Sequence, residues 1–326
     1  MKIDNFALTM NQACPAKFDL RMNQGWTVRH RSAALGFGGA IHAGLAEWYR
    51  TGDPGAALTS IESAWDSSVP AHDYRTLNKC LEVMAGYIKH YPHDTFKVVG
   101  QATGNPIIER TFTLETGLYL PCSLSFLPTR MVKVDDVFVL EPDADPVRRK
   151  CTAPSENVDE VCGCGRAKEP LEYGGIFDGL VEASGHVYIL EHKSTSQLGS
   201  YYFNQFKPNN QVTGYIWAAS KMTSMKVAGA IINAIGVYKA SPTKFERHIT
   251  ARNDFEIAEW LGNVYYECVA ICRQRADNHW PLRTPSCTQY GACEFLDVHS
   301  INDPKHRLKR LEQDYIKDPW NYEERD

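Results

Sequence analysis

Apolar and polar positions alternate in two neighbouring stretches, Ile176 to Glu182 and Val187 to Lys193, with Ser184-Gly185 between them. Period-two alternation marks strands, and a two-residue Ser-Gly turn predicts a tight antiparallel hairpin. With Ala183 opposite His186, the register sets Asp178 opposite Glu191. The buried-type run Val187-Tyr188-Ile189-Leu190 therefore ends on Glu191-His192-Lys193, three polar residues that a sheet interior rejects. Opposed side chains on such a pair lie roughly 4.5 to 5.5 Å apart at Cβ, and like charges there destabilise. Lys193 shares a face with Glu191. Two carboxylates and an ammonium thus converge, which a fold tolerates if a cation lies between the acids or if water surrounds them.

The rest of the pattern frames that hairpin. Residues 30–50 have helical spacing with His42, Ala46 and Tyr49 on one stripe. Residues 55–90 read as helical, with Ile61, Trp65, Leu81, Met84 and Tyr87 as core contacts. The stretch 106–117 alternates as a strand ending at Gly117, and 120–170, rich in Pro, Asp and Gly, reads as a surface insertion. A helix is expected over 208–221, a buried strand over 227–239 and a long helix over 252–277, with Asp254 near its start. The charged tail from 301 to 326 is expected to be peripheral. This order of elements gives an α/β chain, and no Pro/Gly/Ser linker cuts it, so one domain over 1–326 is expected.

Composition adds boundaries. With 43% apolar and 23% charged residues the chain is of the soluble globular type. The longest mostly apolar run, VAGAIINAIGVY, falls short of the ~18 residues of a membrane span. MKIDNFALTMNQACP lacks the basic start and apolar core of a secretory signal, so a cytoplasmic location is expected. A net charge of −4 neither demands nor forbids a polyanionic partner. No GxxxxGK[ST] loop is present, so any motor would be another chain.

Paired carboxylates beside a lysine suit metal-assisted hydrolysis of a phosphodiester. Carboxylate oxygens bind Mg²⁺, a bound water becomes more acidic, and the lysine orients that water and offsets phosphate charge. Asp178 followed by Glu191-His192-Lys193 resembles the D…ExK form of the PD-(D/E)XK nuclease signature. GAIH, ending in His42, and Gln211-Val212-Thr213-Gly214-Tyr215, a QxxxY pattern on the following helix, are similar to further elements of its RecB-type branch. The resemblance spans roughly 14 to 299. It implies a restriction-endonuclease-like core, a mixed central β-sheet flanked by helices. It also implies that His42, Asp178, Glu191 and the His192 backbone carbonyl hold Mg²⁺ or Mn²⁺, and that Lys193 serves the water. Gln211 and Tyr215 would hold substrate or brace the site, and Glu109 is a further acidic candidate.

Ten cysteines in a reducing compartment are thiols or metal ligands more often than disulfides. Some RecB-type nucleases close the domain on a [4Fe-4S] cluster with one early and three late cysteines. Here Cys14, Cys287 and Cys293 fit that plan, while His299 stands where a third late cysteine is expected. An iron-sulfur cluster, zinc, or a packing contact without metal are the alternatives. Cys151, Cys162 and Cys164 in the insertion form a second zinc candidate, with Cys122 or a histidine as the fourth ligand, against a reading as free thiols. Cys80, Cys268 and Cys272 read as core residues.

The expected function is a metal-dependent DNA nuclease, an exonuclease that processes linear ends in recombination or repair, encoded by a phage or mobile element and assisted by a helicase or recombination protein. The rivals are a catalytically silent nuclease fold that docks DNA ends or a partner, and an endonuclease or junction resolvase on the same core.

Overall fold

The computed structural model describes all residues except 30–31, 68–72, 121–128, 135–136, 143–168, 224, 290 and 325–326, and the backbone alone over 129–134 and 137–142. In chain order the elements are β1 (Lys2–Asp4), α1 (Asn5–Ala13), α2 (Pro15–Phe18), β2 (Trp26–Val28), α3 (Ala33–Thr51), α4 (Pro54–Ala64), α5 (Leu77–His90), β3 (Lys97–Val98), β4 (Ile108–Leu120), β5 (Thr129–Val134), β6 (Val137–Pro142), β7 (Glu169–Ala183), β8 (His186–Thr195), α6 (Asn210–Thr223), β9 (Val227–Gly236), β10 (Lys244–Thr250), α7 (Asp254–Asp277), α8 (Leu296–His299), α9 (Pro304–Asp314) and β11 (Tyr315–Lys317). They group into two compact units interleaved in sequence. One comprises residues 29–112 and 175–257, the other 1–28, 113–174 and 258–326.

The unit of 29–112 and 175–257 is built on a mixed sheet in the order β7-β8-β9-β10, with β3 and β4 also pairing with β7. The hairpin forms because Ser184 (φ 52°) and Gly185 (φ 77°) are both left-handed. That is the type I′ turn whose twist matches the flanking strands. Ala183 pairs with His186 as the alternation predicts, and the ladder runs to Gly179 opposite Leu190. From β8 the chain crosses through α6 to β9, which lies parallel to β8, while β10 returns antiparallel to β9. A parallel neighbour needs such a crossover.

Period-two alternation gives the sheet two different faces. Val181, Leu190, Ile231 and Ile235 face a core made with Phe37, Ile41 and Leu45 of α3, Ile61 of α4 and Met84 and Tyr87 of α5. Glu191 and Lys193, one residue out of phase with Leu190, face the opposite way, where Lys193 meets Gln211 of α6. Ser32 caps α3 by accepting from the Leu35 N–H, and Gly52 ends it at φ 71°. The expected helix over 55–90 is two helices, because Trp65 leaves α4 in extended backbone and Thr76 starts α5 afresh.

In the other unit β1 runs parallel to Glu172–Gly174 of β7, and β2 pairs with β11. Leu20, Trp26, Phe295, Val298, Leu311 and Tyr315 form its core. Charge in the last 26 residues therefore conceals a buried stripe. Trp320 stacks on Phe6 with ring centroids 3.9 Å apart and donates to Asp4. β5 and β6 form a hairpin of their own. β4 does not stop at Gly117 as its sequence suggests. That glycine takes a positive φ of 80° inside the strand, which continues to Leu120. No helix among the described residues is long and apolar enough to cross a membrane.

Candidate active site

Asp178 lies one residue beyond the last ladder pair of the hairpin, so it is not matched to Glu191 by backbone hydrogen bonds. Its carboxylate turns elsewhere. Oδ2 accepts the His192 N–H at 2.6 Å, and Oδ1 stands 3.3 Å from His42 Nδ1. Glu191 Oε1 takes Lys193 Nζ at 2.5 Å, and the same ammonium donates to Gln211 Oε1 at 3.0 Å. Tyr215, one helical turn after Gln211, is buried. Its ring packs edge-on against Phe112 and Phe177. A Cβ on Gly175 would come within 2.8 Å of the Tyr215 ring, so glycine is what lets β7 and α6 close here.

His42, Glu109 and Asp178 each offer a ligand atom within 4.8 Å of the other two, the one such group of three among the described residues. Glu109 reaches it from a left-handed backbone, φ 46°. A non-glycine residue pays roughly 1–2 kcal/mol for that conformation, and such strain gathers at functional sites. Glu191 Oε2 is buried without a hydrogen-bond partner. Glu191 stands outside that group of three but interacts electrostatically with Asp178 and His42, and an imidazole and two carboxylates with a further orphaned carboxyl oxygen in their field suit a hard divalent cation such as Mg²⁺ or Mn²⁺.

The electrostatics of the metal-free site are uneven. Burial disfavours charge on His42, but Asp178 outweighs it and raises the imidazole to about 9. Burial would raise Asp178, yet His42 above all, with a smaller contribution from Lys193, holds it well below the usual carboxylate range. Burial and the Asp178 charge push Glu191 up, and the same two causes raise Glu109. Lys193 loses stability to burial and regains more from Glu191, so it stays charged. Burial depresses His192 to about 3 and keeps it neutral.

A pH dependence follows. A folded-state pKa above the unfolded value means the fold holds extra protons, and stability falls as pH removes them. His42 does this between 6.5 and about 9, and the raised glutamates act in the same direction above 4.5. His192 has the opposite sign, but its gain is complete by pH 6.5. In chelator the melting temperature should fall by several degrees from pH 6.5 to 9, whereas saturating Mn²⁺ should stabilise increasingly over the same interval. A thermal-shift series in EDTA that stays flat or climbs contradicts this charge assignment.

The proposed clasp residues lie in the other unit. Cys14 is buried, and Cys287 and Cys293 are half-buried free thiols. Their segments are stitched together: Ser286 Oγ donates to Ala13 O at 2.6 Å, Lys17 pairs with Glu294 at 2.8 Å, and the Cys293 N–H donates to Cys287 O at 2.8 Å. His299 Nε2 is buried and unpartnered. These four do not gather three ligand atoms within 4.8 Å, the closeness a mononuclear zinc requires. Cys122, Cys151, Cys162 and Cys164 fall outside the described residues. Cys80 and Cys268 are fully buried, as core residues should be.

Two polar residues of the sheet, Asn233 and Arg247, escape a reading of periodicity. Asn233 is the one polar side chain in VAGAIINAIG, and that interruption was the available signal.

The family model described as PD-(D/E)XK nuclease superfamily matches residues 7–298. A crystal structure of a Eubacterium rectale protein provisionally named an exonuclease is similar at a TM-score of 0.49 and 10% identity, covering 93% of this chain and 89% of that one. No curated protein matches.

Proposed function

The chain belongs to the PD-(D/E)XK nuclease superfamily, and from that membership we propose that it is a Mg²⁺- or Mn²⁺-dependent DNA nuclease, and from its RecB-type resemblance that it acts from linear ends. The observation that carries the reading is the convergence of His42, Glu109 and Asp178 beside Glu191 and Lys193. A divalent cation at such a site supplies a bound water of lowered pKa and neutralises charge on a phosphodiester. His42, Asp178, Glu191 and Glu109 would hold it, with the His192 carbonyl as a backbone candidate.

Lys193 is charged, so it donates hydrogen bonds and cannot take a proton. It orients the attacking water and faces the scissile phosphate, while Gln211 fixes the ammonium from α6. Tyr215 braces α6 against β7. End-directed action, a role in recombination or repair, a helicase partner and a phage source rest on the RecB-type resemblance alone.

The same resemblance assigns Cys14, Cys287, Cys293 and His299 to an iron-sulfur clasp. Its support is the stitching of their segments and the unpartnered His299 Nε2.

End-labelled linear single- and double-stranded DNA, with covalently closed circles beside them, tests the function. Cleavage of linear substrate with Mg²⁺ or Mn²⁺, none in EDTA, and intact circles are expected. Binding without cleavage under any divalent metal would favour the silent module, and cut circles an endonuclease. Iron and zinc analysis of anaerobically purified protein settles the clasp, and a metal-free result ends it.

A further inference from the structure

Three polar side chains stand in a row across the sheet. The parallel register of β8 with β9 sets His192 beside Asn233, and the antiparallel register of β9 with β10 sets Arg247 beside the same Asn233. Neighbouring strands are ~4.8 Å apart and alternate residues share a face, so all three project toward α3 and α5. Asn233 is fully buried. A buried amide costs about 1–3 kcal/mol unless it is hydrogen-bonded, so its partners explain its presence.

Both ends of that amide are used. Arginine can only donate, so the atom 3.1 Å from Arg247 Nε is the carbonyl Oδ1. This fixes the other end as the NH₂ group, which lies 2.8 Å from His192 Nδ1 and 2.9 Å from the Tyr87 hydroxyl. His192 Nδ1 is therefore the acceptor. Arg247 is itself clamped: it pairs with Asp94, donates to Tyr49 at 3.0 Å and Tyr87 at 2.8 Å, and lies 3.6 Å from the Tyr91 ring centroid. The row is anchored at its far end by a charge held by Asp94, two tyrosine hydroxyls and an aromatic face.

Its near end touches the cation group twice. The His192 backbone N–H holds Asp178 Oδ2. Its ring stacks on Tyr49, with centroids 5.6 Å apart, and meets the His42 ring edge-on at 5.9 Å. One residue thus positions a carboxylate from β7 and an imidazole from α3. We propose that Asn233 and Arg247 are positioning residues that act through His192 to set the spacing of Asp178 and His42 around the divalent cation, an inference that rests on the metal-dependent reading above.

Removing partners of this kind costs metal sites roughly 10–100-fold in affinity or rate. The full chain would be titrated with Mn²⁺ by calorimetry, with kcat, KM for linear DNA and melting temperature measured in parallel. Asn233→Leu keeps the branched shape and removes both ends of the relay. His192→Phe keeps the ring stacked on Tyr49 and removes the acceptor. Each is expected to weaken Mn²⁺ binding about 10–100-fold and lower kcat with KM unchanged, and the double variant should lose no more than either single, as residues acting through one path do.

A merely structural row predicts a lower melting temperature with wild-type Mn²⁺ affinity in the folded protein, and that result overturns the proposal. Should Asn233→Leu not fold, His192→Phe decides by the same criterion. A wild type that binds Mn²⁺ without cutting DNA removes the nuclease reading and leaves the affinity ratio to judge the relay.

Discussion

Asp178→Asn is expected to lower metal-supported DNA cleavage by about 10²–10⁴-fold while the chain stays folded. The amide oxygen can still accept the His192 N–H, so the bond that ties β7 to β8 at this point survives. Two things are lost. The cation forfeits an anionic ligand, and His42 forfeits the charge that raises it to about 9. Losing one preorganised electrostatic group of an active site typically costs about 10²–10³-fold in rate, and the weakened cation binding adds to it, which gives the range stated. Single-turnover cleavage, Mn²⁺ titration and an NMR titration of His42 measure the three consequences. Cleavage within tenfold of wild type, or a His42 pKa left near 9, would remove Asp178 from the site.

Lys193→Ala should cost a comparable 10²–10⁴-fold in kcat, the usual span for a group that orients and stabilises in the transition state. The signature differs from that of Asp178. Metal affinity should fall far less, because Lys193 contributes no ligand atom, and DNA binding should weaken only modestly, since a single phosphate-facing cation is lost. Glu191, relieved of its ammonium, should be protonated more readily in the metal-free protein, so the variant would need higher pH or more Mn²⁺ to load. Lys193→Arg should not restore the rate, because a planar fork cannot replace a compact ammonium held between Glu191 and Gln211. Equal, metal-independent background from wild type and Lys193→Ala would end the nuclease reading altogether.

The hairpin was legible because every local cue agreed: alternation on both strands, a Ser-Gly turn that tolerates left-handed backbone, and a register that follows from turn length. The Gln211–Tyr215 face was legible because four residues make a helical turn. Contacts made by packing were not. Periodicity cannot tell that α3 brings His42 to Asp178 and not to Glu191, or that Glu109 bends out of β4 to join them. β10 is not legible because its exposed positions carry Lys244, Glu246 and His248, which disguise an edge strand as a loop. The break between α4 and α5 and the run of β4 past Gly117 depend on single backbone angles that composition does not report. The buried stripe of the C-terminal segment hid among charges, with Leu311, Tyr315 and Tyr322 spaced too widely to read as a pattern.

The two-residue turn at Ser184-Gly185 also bears on how the protein forms. Hairpins close within microseconds, and this one has its tightest loop at the end remote from the carboxylates. Zippering from that end pairs five residues on each strand before Asp178 and Glu191 meet, so mutual repulsion of the acids taxes only the last step of closure. Chain collapse can thus proceed on local, low-contact-order pairing before the opposed acids need the His42 imidazolium beside Asp178.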